Sequence, residues 1–197
     1  MSKHSIDGEA IAASLADPRA FASIFEHHFD AIHGYLRRRL DRQLADELAS
    51  QTFLVAFDRR ATFDHRRSSS RSWLFGIATN LASNHRRRAI REMRAIAELS
   101  PDPVMEIDGV ESRVDAERMR GRLAKALADL PSKEADVLLL FAWAELDQAE
   151  IADALAIPIG TVKSRLSRAR GRLQVVLGLV LAPASPPTAN PTAPGGK

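Results

Sequence analysis

The stretch "DQAEIADALAIPIGTVKSRLSRARGRL", residues 147–173, constrains the fold more than any other part of the chain. Asp147 with Glu150 three residues later is the reciprocal pattern that satisfies free backbone amides at a helix start. It opens a short helix over "QAEIADALAI" with Ile151 and Leu155 inward, and Pro158 and Gly160 then mark a tight turn. Beyond the turn, Val162, Leu166, Ala169 and Leu173 advance about 100° per residue onto one face of a second helix. Ala152 falls where the two helices approach, and a small residue is needed there. Two short helices joined by a turn of a few residues form a helix-turn-helix.

The second helix is also basic. Residues 160–173 hold Lys163, Arg165, Arg168, Arg170 and Arg172 and no acid. Opposite its packing face lie Thr161, Ser164, Ser167 and Arg168, with Lys163, Arg165 and Arg172 on the flanks. Short hydroxyl side chains permit close approach to a duplex, arginine reaches guanine edges, and flanking cations meet phosphates. The plain alternative is an arginine-rich solvated helix capping a bundle. The cap, the small residue, the turn and the basic helix together favour a recognition helix.

The rest of the chain reads as helical. Phe21, Ile24, Phe25, Ile32, Leu36 and Leu40 mark an amphipathic helix over "FASIFEHHFDAIHGYLRRRL", and two more helices are expected at about 44–60 and 72–94. "TFDHRRSSSRS" between them reads as a loop. "LPSKEADVLLLFAWAE" starts at Pro131 and Ser132 and offers an apolar face of Val137, Leu138, Leu140 and Phe141. Prolines, a glycine and an acidic excess in "LSPDPVMEIDGVES" give a linker, and the proline-rich run from Ala182 onward lacks bulky apolar residues and is expected to be disordered. The fold class is all-α: two small helical domains joined by a flexible acidic linker. The expected boundaries are an extension over 1–17, a domain over 18–95, the linker over 96–115, a second domain over 116–178 and a tail over 179–197.

Charge is segregated along the chain. From Arg59 to Arg94 there are ten arginines against two acids, and from Glu98 to Arg118 seven acids against two arginines. Two basic blocks flanking an acidic one point to a polyanion bound through counterion release. The chain has no cysteine, which removes disulfides and thiolate metal sites. No signal peptide or membrane span is legible, so the expected location is the cytoplasm, without membrane insertion. His27, His28 and His33 lack metal-ligand spacing, and no phosphate-binding glycine loop, serine nucleophile motif or paired catalytic carboxylates stand out. Neither an enzyme nor a metal or other cofactor is expected.

The block "LADLPSKEADVLLLFAWAELDQAEIADALAIPIGTVKSRLSRARGRL" resembles region 4 of bacterial sigma factors of the sigma-70 family, of the small extracytoplasmic-function (ECF) type. "DELASQTFLVAFDRRATFD" followed by "SWLFGIATNLASNHRRR" resembles region 2 of the same family, in the family's order and at its usual separation. The resemblance implies a factor that binds core RNA polymerase through the β′ and β subunits, directs it to promoter DNA and helps open the duplex. By the same resemblance the helix from about Gly160 to Leu173 reads the −35 element. The −10 element falls to the loop of Asp64, His65, Arg66, Arg67, Ser68, Ser69 and Ser70, to Trp73, and to the next helix through Asn80, Arg86, Arg87 and Arg88. An unpaired base needs a pocket and a stacking surface, and the strand beside it needs cations. An aromatic where Trp73 stands is nevertheless more often core than platform.

The helix at 44–60 carries Leu44, Leu48 and Val55 on one face and Phe53 and Phe57 on another. Its remaining strip, Glu47, Ser50, Gln51, Leu54 and Asp58, is by resemblance the polymerase-docking surface. The chain has "ELASQTF" where the family commonly shows "DLVQETF", Ala156 where a glycine is usual, and Asn84 where an aspartate is frequent. Family behaviour further implies an anti-sigma factor as partner. A conventional operator-binding regulator is the main competing reading, but the amino-terminal half offers no ligand or phosphoacceptor domain. A helical adaptor that binds protein only leaves both arginine blocks unexplained.

Overall fold

Asp17 starts the first amphipathic segment by accepting the Arg19 amide at 3.0 Å, and Pro18 suits the first position of the short 3-10 turn Pro18–Phe21 that follows. The turn runs into helix α2 (Ala22–Arg37), whose Ile24, Ile32, Tyr35 and Leu36 are buried. Leu40 lies beyond its end and is half-buried. Asp41 caps α3 (Arg42–Arg59) by accepting the Leu44 amide at 3.0 Å. Helix α4 (Ser70–Leu99) extends past the expected end at both termini, because "AIREMRAIAEL" contains neither glycine nor proline to stop it. Helix α1 (Lys3–Ala13) precedes them. The structure, a computed structural model, describes residues 3–64, 69–99, 121–123, 125–127 and 129–177. Most of the expected linker and all of the expected tail lie outside the described residues.

The carboxy-terminal unit includes α5 (Ser132–Trp143), α6 (Gln148–Leu155) and α7 (Ile159–Leu177), and residues 121–123 and 125–127 before them are also helical. Among the described residues there is no strand. Val162, Leu166 and Ala169 of α7 are buried against α5 and α6, as the periodicity requires. Phe141, expected on the apolar face of α5, is instead 37 % exposed and carries the Arg170 guanidinium 4.8 Å from its ring centre. The aromatic face so stays covered by a long cationic side chain.

Helices α2, α3 and α4 pack on one another, and α4 also packs along α6. The buried apolar residues of both units form one continuous cluster, from Ile11 and Ile24 through Phe75 and Ala78 to Leu140, Ile151 and Val162. The contact between α4 and α6 is close enough to demand glycine at 76. A Cβ there would lie 2.3 Å from the Ala154 carbonyl oxygen.

A buried polar network crosses the same junction. Arg39, just past the end of α2, donates from Nη2 to the Asp136 carboxylate on α5 at 2.6 Å and from Nη1 to the Tyr35 hydroxyl at 2.7 Å. Tyr35 shares a hydrogen bond with Thr79 at 2.9 Å, and the Ser83 hydroxyl lies 3.0 Å from each Asp136 oxygen. Burial works against the Arg39 charge, yet Tyr35 and Asp136 outweigh it and hold the guanidinium pKa above its usual value. Burial also raises the Tyr35 hydroxyl, against the opposing pull of Arg39. Arg71 adds a hydrogen bond across the junction, from Nη2 to the Ala144 carbonyl.

Candidate nucleic-acid interface

The capping box at the start of α6 forms as its residues dictate. The Asp147 carboxylate accepts the Ala149 and Glu150 amides at 2.8 Å, and Glu150 accepts the Asp147 amide at 2.9 Å. At the other end Ala156 takes a left-handed conformation, φ 51°, so that the Ile157 amide turns back onto the Ala152 carbonyl at 3.0 Å. That is the closure glycine serves at least cost, and here an alanine performs it. The turn delivers Pro158, whose carbonyl accepts the Thr161 and Val162 amides at the start of α7.

On α7 the side chains expected to face DNA divide into three groups. Lys163, Ser164 and Ser167 are exposed, and the Ser164 hydroxyl donates back to the Thr161 carbonyl at 3.0 Å. Thr161 and Arg165 are half-buried. Arg168 and Arg172, one turn apart, both fold toward the buried Glu134 at the start of α5. Nε of Arg168 donates to Oε1 at 3.1 Å, and Nε of Arg172 lies 3.1 Å from Oε2. The second contact is an ion pair without hydrogen-bond alignment, leaving Oε2 buried with no hydrogen bond. Each guanidinium has five N–H donors. Arg168 spends one on Glu134 while its side chain remains 56 % exposed. The sequence did not single out Glu134, which lies 34 residues from Arg168 and shows no local sign of the pairing.

The second set of expected residues gathers on α4 and the loop before it. Trp73 is half-buried, its ring 4.9 Å from that of Phe63. It thus belongs to the edge of the core and also lines a cleft of about 610 Å³ with Asp64, Asn80 and Arg59. The opposite wall of that cleft is the helix-turn-helix itself, through Ala152, Asp153, Ile157 and Pro158. Further along α4, Arg87 and Arg88 border a shallow groove with Asn84 and Arg91, and Arg87 donates to the Asn84 side-chain oxygen. Arg86 is half-buried. His65, Arg66, Arg67 and Ser68 lie outside the described residues.

Ser69 and Ser70 are placed differently from one another. Ser69 lies before α4, with its hydroxyl accepting the Ser72 amide at 3.0 Å. Ser70, expected in the loop, is instead the first residue of α4 and is buried. Its hydroxyl donates to Asp7 of α1 at 2.5 Å, and His28 Nε2 meets the same carboxylate oxygen at 2.7 Å. His27 approaches the other oxygen at 3.5 Å. Burial tends to raise the Asp7 pKa, but the hydrogen bonds from Ser70 and His28 outweigh it and lower the value. The two histidines therefore tie α1 down. Among the described residues no group of three or more histidines and acids could hold a metal ion.

The strip expected to dock on a partner is exposed along its whole length. Glu47, Ser50, Gln51 and Asp58 are exposed, and Leu54 among them is 64 % exposed. Behind the strip, Phe53 packs edge-on against Phe25 at 5.0 Å, and Phe25 is itself 42 % exposed. No helix among the described residues is long and apolar enough to cross a membrane.

Comparison with known proteins agrees with this geometry at both ends. A family model described as Sigma-70 region 2 matches residues 24–92, and one described as Sigma-70, region 4 matches residues 120–173. The RNA polymerase sigma factor HrpL of Pseudomonas syringae pv. syringae is 36 % identical over 133 residues, 66 % of this chain and 71 % of that protein. The ECF RNA polymerase sigma factor SigW of Bacillus subtilis is 31 % identical over 167 residues, 80 % of this chain and 89 % of that protein. The fold is similar to that of the sigma factor RpoE in its co-crystal structure with the anti-sigma factor NepR from Bartonella quintana. That likeness has a TM-score of 0.60 at 23 % identity, covering 82 % of this chain and 98 % of that one. The chain belongs to the sigma-70 family of RNA polymerase sigma factors, in its extracytoplasmic-function type.

Proposed function

We propose that this chain binds core RNA polymerase through the exposed α3 strip, with Leu54 at its centre, and carries the polymerase to promoters bearing two spaced elements. Residues 116–178 act as region 4 and read the −35 element as duplex, with Lys163, Ser164 and Ser167 of α7 entering the major groove. Arg168 and Arg172, anchored on Glu134, supply the cations beside them. Residues 18–95 act as region 2. There the cleft beside Trp73 and Asn80 receives an extruded base of the −10 element, while Arg87 and Arg88 follow the strand backbone.

The observation that carries this reading is the capped helix-turn-helix whose second helix buries Val162, Leu166 and Ala169 while exposing Lys163, Ser164 and Ser167. The protein works in the cytoplasm, where polymerase and promoter are, and an anti-sigma factor restrains it, as RpoE is seen bound to NepR. The test is in vitro transcription with core polymerase lacking any sigma factor, this protein and a genomic promoter library. Defined starts that share two upstream motifs and depend on the protein support the reading. Tight sequence-specific binding to DNA without polymerase, and no starts, would replace it with an operator-binding regulator.

A further inference from the structure

The wall assigned above to the −10 element is made from two pieces of chain. Phe63 and Asp64 follow the 3-10 turn Arg60–Thr62, whereas Trp73 stands in the first turn of α4. The Phe63 amide donates to the Arg60 carbonyl at 3.3 Å, and the Trp73 amide to the Ser69 carbonyl at 3.0 Å. Each piece is therefore tied to its own stem. A base seated on Trp73 needs both pieces in fixed relation, because a stacking surface and the groups around it read a base only at contact distance.

Helix α1 reaches both stems. Its inward positions are Asp7, Ile11 and Ser14, at spacings of four and three, and all three are buried. At one end the Asp7 carboxylate accepts the hydroxyl of Ser70, the first residue of α4, and meets His28 of α2. At the other end the Ser14 carbonyl, just past α1, accepts Nε of Arg60 at 3.3 Å, while Nη1 of Arg60 donates to the Phe57 carbonyl of α3 at 2.6 Å. The Arg60 charge so lies at the carboxy-terminal end of α1, where free carbonyls favour a cation. A helix held only by adhesion would turn apolar side chains inward. This one turns a carboxylate and a carbonyl inward with a single isoleucine between them, and each polar group is costly to bury unless its partner is in place.

We infer that α1 is a positioning strap for the −10 site. Asp7 holds Ser70, the Ser14 carbonyl holds Arg60, and together they set Trp73 against Phe63 and Asp64. The region 2 match starts at residue 24, so α1 precedes everything that the match covers.

This inference rests on the −10 reading of Trp73 and its neighbours, and one experiment separates the two. The full chain, assembled with core polymerase, is titrated by anisotropy with a single-stranded oligonucleotide from the non-template strand of a promoter recovered through its own transcription starts. The same strand permuted across the −10 element is titrated beside it. The readout is the ratio of the two affinities, since a variant that merely folds less well loses active protein on both strands equally and keeps the ratio. Asp7→Ala should lower the ratio at least five-fold, with affinity for core polymerase unchanged. Arg60→Met, which releases the other stem, should lower it as well. An unchanged ratio in either folded variant overturns the strap, and if Asp7→Ala does not fold, Arg60→Met decides. Equal affinity of the parent for the two strands overturns the −10 reading itself, and the strap with it.

Discussion

Replacing Gly76 by alanine should loosen the junction between α4 and α6, and its magnitude follows from the geometry. In an unobstructed helix interior, glycine to alanine gains about 1 kcal/mol through propensity. Gly34 in α2 is such a site, with nothing within 4 Å of an added Cβ. At 76 the same Cβ meets the Ala154 oxygen at 2.3 Å, and the carbonyl carbon and Cα at 3.1 and 3.2 Å. All three atoms are backbone, so no side chain can swing aside. The carbonyl must retreat about 1 Å to reach ordinary contact, and overpacking of this kind costs about 1–3 kcal/mol. Because Ala154 lies across the junction, the cost falls only where α4 and α6 are packed together, while the propensity gain is kept whether they are packed or apart. The ratio of packed to separated junction should therefore fall roughly 5- to 150-fold, at about 1.4 kcal/mol per factor of ten. Small-angle scattering reads the change as a larger radius of gyration for Gly76→Ala than for Gly34→Ala. Identical scattering from the two variants, with both stabilised against heat, would refute the reasoning.

Ala156→Gly should stabilise the carboxy-terminal unit by about 1 kcal/mol, since an L-residue in the left-handed region costs roughly that much; a lower melting temperature would contradict it. Glu134→Gln frees Arg168 and Arg172 together, so non-specific duplex binding should strengthen and its salt slope steepen while base preference at the −35 element flattens, measured by anisotropy across salt. Leu54→Asp, at a position 64 % exposed, should leave thermal unfolding unchanged and weaken core polymerase binding at least ten-fold in a fluorescence titration. The Asp7 pKa is lowered in the folded chain, so its contribution to stability is complete above the unfolded value near 4 and is lost as pH falls through the folded one. Melting curves of the parent should thus converge on those of Asp7→Asn in acid and separate from them toward neutral pH.

How much of this was legible depended on the range of each interaction. The capping box of Asp147 and Glu150 and the apolar line of Val162, Leu166 and Ala169 are local patterns, set by helical period alone, and were readable. So was the exposed strip around Leu54, because an apolar face and two phenylalanines on α3 leave only that side outward. Arg39 and Asp136 are 97 residues apart, and nothing near either one announces the other. Asp136 reads as an ordinary polar position in a helix until Arg39 and Ser83 of α4 meet it. Asp7 and Ser70, 63 residues apart, show the same limit: the serine reads as loop because the carboxylate that buries it lies in a segment with no motif. Phe141 was misplaced because periodicity assigns a face and cannot say that an arginine from another helix will serve as its cover.

The sequence separation of the Arg39–Asp136 pair has a consequence during synthesis. Arg39 emerges 97 residues ahead of Asp136, an interval of roughly 5–20 s at about 5–20 residues per second. Over that time α2, α3 and α4 can assemble around their own aromatic and aliphatic residues while the ribosome has yet to deliver α5, α6 and α7. The cleft beside Trp73 is then walled on one side only, so each newly made molecule passes once through an uncovered form before its own carboxy-terminal unit closes over it.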